Sequence, residues 1–103
     1  MRIMVKFAFP VEAGNAAIKS GKLEKVFTQL LDELKPEAAY FLADGGERGG
    51  FFVVNMTDSS QIVEIAERLF FGLNARVEMQ PVMAADDLQK GLAAVPEIVR
   101  RYG

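Results

Sequence analysis

Apolar and polar positions alternate at the start of this chain. Ile3, Val5, Phe7 and Phe9 share one side of an extended segment, and Arg2, Met4, Lys6 and Ala8 share the other, which predicts a strand from Ile3 to Phe9 ended by Pro10. The period then changes. Leu23, Val26, Phe27, Leu30, Leu31 and Leu34 recur at helical spacing, with Lys22, Glu24, Lys25, Gln29, Asp32 and Glu33 opposite, so a helix is expected up to the stop at Pro36. Asn15 is an N-cap candidate ahead of Ala16-Ala17-Ile18, with Gly21 lowering helical propensity in between. Ala38 to Asp44 and Phe51 to Met56 read as strands joined by Gly45-Gly46-Glu47-Arg48-Gly49-Gly50, a loop of hairpin composition. Asp58 with Gln61 three residues on reads as a capping-box variant before a helix carrying Ile62, Ile65, Ala66, Leu69 and Phe70, and Gly72 suits the left-handed position after it. Ala75 to Val82 alternates again, and Pro81 marks the end of an edge strand. From Asp86 to Tyr102, Leu88, Leu92, Val95, Val99 and Tyr102 line one side of a helix, or of two short helices divided at Pro96.

The order strand-helix-strand-strand-helix-strand points to an α+β fold: a ferredoxin-like βαββαβ domain over residues 1–103, with a four-stranded antiparallel sheet, both helices on one face, and a C-terminal helix besides. The sides expected beneath the helices are wholly apolar: Ile3, Val5 and Phe7; Ala39, Phe41 and Ala43; Phe52, Val54 and Met56; Ala75, Val77 and Met79. The opposite face mixes Met4, Lys6 and Ala8 with Ala38, Tyr40 and Leu42, Phe51, Val53 and Asn55, and Arg76, Glu78 and Gln80. Its middle is too apolar for open water, so a cover is expected. A second copy of the chain in a two-fold homodimer is the favoured cover, and the chain's own C-terminal helix is the other.

Composition narrows the functional classes. The 103 residues are 50% hydrophobic and 25% charged, and the net charge of -2 has its basic residues interleaved with acidic ones, which argues against nucleic acid as a partner. With no cysteine there is no disulfide framework and no thiolate nucleophile, as suits a cytoplasmic protein, and no apolar run reaches the length of a membrane span or a secretion signal. With no histidine, a Ser-His-Asp triad, a histidine-ligated metal and a His-Asp acid-base pair are all excluded. Asp86-Asp87 starts a helix, where acidic residues are expected without a metal.

Through its element order, and through Tyr40-Phe41-Leu42-Ala43-Asp44 and Arg76-Val77-Glu78-Met79-Gln80-Pro81-Val82, the chain resembles the dimeric α/β-barrel superfamily, closest in character to its small muconolactone-isomerase-like and uncharacterised members. The resemblance implies two protomers with sheets face to face around a shared cavity. The histidine- and tryptophan-dependent activities of other members are not carried over, because this chain has neither residue. No cofactor is expected, and the partners expected are a second copy and a small organic molecule.

Lys6, Tyr40, Asn55, Arg76, Glu78 and Gln80 are the polar groups that such a cavity would present to a small, partly apolar ligand, with Arg48 able to close over its mouth. Tyr40 or Glu78 could serve proton transfer in an isomerase-like reaction. The competing reading makes Arg76, Glu78 and Gln80 a solvated edge with Lys6 paired to Glu78 across strands, and the protein a non-enzymatic module whose dimer interface is the function. The glycine-rich loop lacks P-loop order and lies between strands, which leaves it as a hairpin tip.

Overall fold

The computed structural model describes residues 1–103. Nine elements follow one another: β1 (Arg2–Phe9), α1 (Val11–Ser20), α2 (Lys22–Leu34), β2 (Ala38–Asp44), β3 (Glu47–Asn55), α3 (Gln61–Leu73), β4 (Arg76–Pro81), α4 (Ala85–Leu92) and α5 (Val95–Tyr102). The strands form one antiparallel sheet in the order β2-β3-β1-β4, with Pro81 on an edge strand as expected. Two interleaved strand-helix-strand units produce this arrangement.

The alternation in β1 decides where the core sits. Ile3, Val5, Phe7 and Phe9 are buried together with Phe52, Val54 and Met56 of the sheet side and with Leu30, Ile65, Leu69 and Leu73 from the helices. Phe7 is the aromatic hub, its ring centroid 5.8 Å from Phe27, 6.1 Å from Phe52 and 6.4 Å from Phe41. This is the expected apolar side, and both crossover connections pack on it.

Five helices stand where three were expected, or four with the C-terminal stretch divided at Pro96. Helix formation begins at Val11, directly after Pro10 and four residues ahead of Asn15, because proline's fixed φ favours a helix start. Gly21, at φ 80°, then divides the crossover into α1 and α2. The C-terminal segment takes the two-helix form of the expectation, dividing at Ala93–Ala94, where Pro96 has no N–H to continue the ladder.

The hairpin differs more. Its turn is only Gly45–Gly46, both at positive φ, as a tight two-residue connection requires, and Glu47 to Gly50 are strand. Gly49 and Gly50 were read as loop by composition, but they serve close strand contact: a Cβ on Gly49 would collide with the Phe7 carbonyl and one on Gly50 with the Tyr40 carbonyl. Gly72 likewise is not a cap. It lies inside α3, where an added Cβ would stand 3.0 Å from Val26, and Asn74 takes the left-handed position at φ 55°. Ahead of α3 the capping exchange is present one turn early: Asp58 accepts from the Ser60 N–H at 2.8 Å, and the Gln61 side chain accepts from the Asp58 N–H at 3.0 Å.

The C-terminal helices do not cover the sheet. Neither α4 nor α5 has a buried residue, and the molecule measures 60 × 27 × 21 Å with a radius of gyration of 17.3 Å. A compact chain of this length has a radius of about 13 Å, so the two helices form a projecting arm. Accessible surface is correspondingly large at 7203 Å², against about 5,700 Å² for a compact monomer of this mass.

Candidate functional site

Strand register places the open-face side chains in rows across the sheet. Tyr40, Phe51, Lys6 and Glu78 form one row, Ala38, Val53, Met4 and Gln80 the next, and Leu42, Gly49, Ala8 and Arg76 the row on the other side. The face is therefore divided lengthwise. Its β2–β3 half is apolar, with the Tyr40 and Phe51 rings 5.5 Å apart, and polar groups stand along β1 and β4. Between Leu42 and Arg76 stand the small residues Gly49 and Ala8, both buried. Tyr40 is 61% and Leu42 40% exposed, while Met4, Phe51 and Val53 are half-buried by their neighbours alone.

All six groups expected to face the cavity, Lys6, Tyr40, Asn55, Arg76, Glu78 and Gln80, share this face. Lys6 stands opposite Glu78 in register, yet its ammonium lies 3.6 Å from Asp44 instead. Arg76 lies 3.3 Å from Glu47 on the same face. These pairs are solvent-exposed and contribute little energy, but they set where the cations point. Asn55 accepts a 2.9 Å hydrogen bond from the Met1 nitrogen, which accounts for its polar group without a ligand. Tyr40, Glu78 and Gln80 have no polar side-chain partner within the chain, so they are the groups left to meet another molecule.

Arg48 is elsewhere. It pairs in register with Phe9 and Ala43, on the helix side of the sheet, and its guanidinium donates to the Val11 carbonyl at 3.3 Å and to the Asn15 side chain at 2.9 Å. It ties β3 to α1 and is not a mobile cation at a loop tip. Because Glu47 to Gly50 are strand and not loop, Arg48 follows the alternation of β3 onto the helix side.

The sequence reading passed over a second feature. α3 and β4 enclose an apolar groove of about 390 Å³ lined by Ile62, Val63, Ala66, Phe70, Val77 and Met79, with Glu67 the one charged residue in its wall. The signal was present in α3, where Val63 extends the apolar arc well past the core stripe.

No group of acidic residues is placed to hold a metal ion, and no helix is long and apolar enough to cross a membrane. No family model and no curated protein matches the chain. Among solved structures, the de novo designed protein Ferredog-Diesel is similar over 78% of this chain and 82% of its own, with 17% sequence identity and a TM-score of 0.39.

Proposed function

We propose that the chain works as a homodimer in which two open sheet faces meet and hold a small, partly apolar organic molecule between them. The observation that carries this is the uncovered face: Tyr40, Leu42, Phe51, Val53 and Met4 form a continuous apolar area that the chain's own helices leave open. Surface in excess of a compact monomer amounts to about 1,500 Å², and a standard interface buries about 800 Å² on each partner. Tyr40 and Glu78 are free polar groups of that face, suited to orienting a ligand or moving a proton between the sheets.

One observation favours a non-enzymatic dimer module as the second reading. Lys6, Arg76 and Asn55 are all engaged within the chain, which leaves few groups for chemistry. Sedimentation equilibrium at several protein concentrations tests the shared premise of both readings: a mass of two chains is expected, and a concentration-independent single-chain mass overturns it. Crystals soaked with small carboxylic and phenolic compounds then separate the two, since density beside Tyr40 supports ligand binding and a space filled by Phe51 and Val53 supports the module.

A further inference from the structure

α3 is apolar on two sides. Ile65, Leu69 and Leu73 are buried in the core, while Ile62, Val63 and Phe70 are 45%, 63% and 44% exposed and face the groove shared with Val77 and Met79 of β4. A helix with a second apolar face needs a second partner, and the body of the chain supplies none. The projecting arm has the complementary problem. Leu88, Leu92, Val95, Val99 and Tyr102 repeat at steps of four, three, four and three, all exposed, with Asp86, Lys90, Glu97, Arg100 and Arg101 turned the other way. Ala93 and Ala94 keep right-handed helical angles through the break, so the stripe runs on from α4 into α5.

The root of the arm settles which groove it can meet. The Val82 N–H donates to the Arg2 carbonyl at 3.1 Å, and the Asp87 carboxylate accepts from the Ala84 N–H at 3.0 Å and lies 3.7 Å from the Arg2 guanidinium. Arg2 alternates with Ile3 onto the open side of the sheet, so α4 leaves on the side opposite the groove of its own chain. That is the side on which a second copy would sit. Residues 85–102 span about 27 Å as helix, enough to cross the roughly 10 Å between two stacked sheets and reach the helix layer beyond.

We propose that α4–α5 is an exchanged arm, which passes the β4 edge of a second copy and lays its Leu88–Tyr102 stripe into that copy's α3–β4 groove. The inference rests on the face-to-face dimer and adds to it a second, reciprocal contact. It also accounts for the size of the surface excess, which is close to twice what a standard interface would cover.

Because the chain has no cysteine, single cysteines report the contact cleanly. Val63→Cys and Ile98→Cys chains, one of them isotope-labelled, would be co-expressed and treated with a short bismaleimide, with sedimentation run alongside. A mixed product joining residue 63 of one chain to residue 98 of the other is expected, together with a two-chain product when both cysteines share one chain. Closure of that double variant within a single chain means the arm folds back on its own body, and a product joining only residue 98 to residue 98 means the arms pair with each other; either overturns the proposal. No product from a protein that still sediments as a dimer overturns the arm and leaves the face-to-face contact standing, whereas a single-chain mass removes both. Leu92→Asp adds a readout without a linker: no arm residue is buried in its own chain, so the fold persists while dimer dissociation strengthens on the order of tenfold or more.

Discussion

Phe52 is among the largest side chains fully enclosed by this chain, and its ring stands 6.1 Å from that of the Phe7 hub. Phe52→Ala leaves a cavity in a core that has few other buried residues, and a loss of about 3–5 kcal/mol is expected in urea unfolding. Phe51, its neighbour in sequence, points the other way and is covered by no helix; Phe51→Ala is expected to cost under about 1.5 kcal/mol in a dissociated protein, and the contrast between adjacent phenylalanines checks the face assignment. Asp58 behaves differently. Hydrogen bonds from the Ser60 side chain and then from its backbone hold the Asp58 carboxyl below the ordinary carboxylate value. A carboxyl whose folded value is depressed contributes stability above its unfolded value and loses it as pH falls through the folded one. Wild type should therefore lose stability between about pH 4 and pH 3 more steeply than Asp58→Ala, as urea midpoints at the two values would report. Equal slopes would mean that the Asp58–Ser60 turn does not persist in solution.

At the scale of elements, the hairpin makes the clearest claim. A two-residue turn with both glycines at positive φ leaves no slack, so Gly46→Val, a β-branched residue at φ 83°, is expected to cost about 1–2 kcal/mol by thermal unfolding, more than a six-residue tip would register. That same hairpin shows what a sequence can and cannot disclose. β1 and its faces were legible because period-2 alternation is written by the side chains that must be buried, and Pro81 marked the edge because proline cannot donate to a ladder; β2 alternates as well, but it lies at the other edge, where Phe41 and Ala43, expected beneath the helices, remain exposed. Gly49 and Gly50 carry no side chain to alternate, so their place in β3 is fixed by the carbonyls of Phe7 and Tyr40, neighbours remote in sequence. Gly72 was misread for a related reason: its need is room for Val26 of another helix, which leaves no local trace. The polar residues of the open face could be assigned from alternation, but Lys6 turning to Asp44 instead of to Glu78, its partner in register, follows from side-chain reach across the sheet and not from strand pairing. On that face Val53→Glu is expected to give a folded single-chain species or insoluble protein, whereas an unchanged dimer would place the interface elsewhere.

For the whole molecule, the deciding quantity is how much of its stability exists in a single chain. Only 15 of the 103 residues are buried, a small core for this length, and much of the remaining apolar surface lies on the open face, the α3–β4 groove and the arm, with Val11, Ile18, Phe41 and Phe71 exposed elsewhere. If those three surfaces close on a second copy, folding and association are largely one process, and the unfolding midpoint must depend on protein concentration. A tenfold increase in concentration favours the associated state by about 1.4 kcal/mol per dimer, which for a cooperative unit of twice this length raises the midpoint by about 3 °C. Scans over a hundredfold concentration range are thus expected to move by about 6 °C, with the movement abolished in Val53→Glu and reduced in Leu92→Asp. A midpoint that stays fixed across that range would mean that the small core suffices alone and that neither the face nor the arm is joined in the folded state. A midpoint that moves in wild type and equally in Leu92→Asp would assign the association to the sheet faces and leave the arm free.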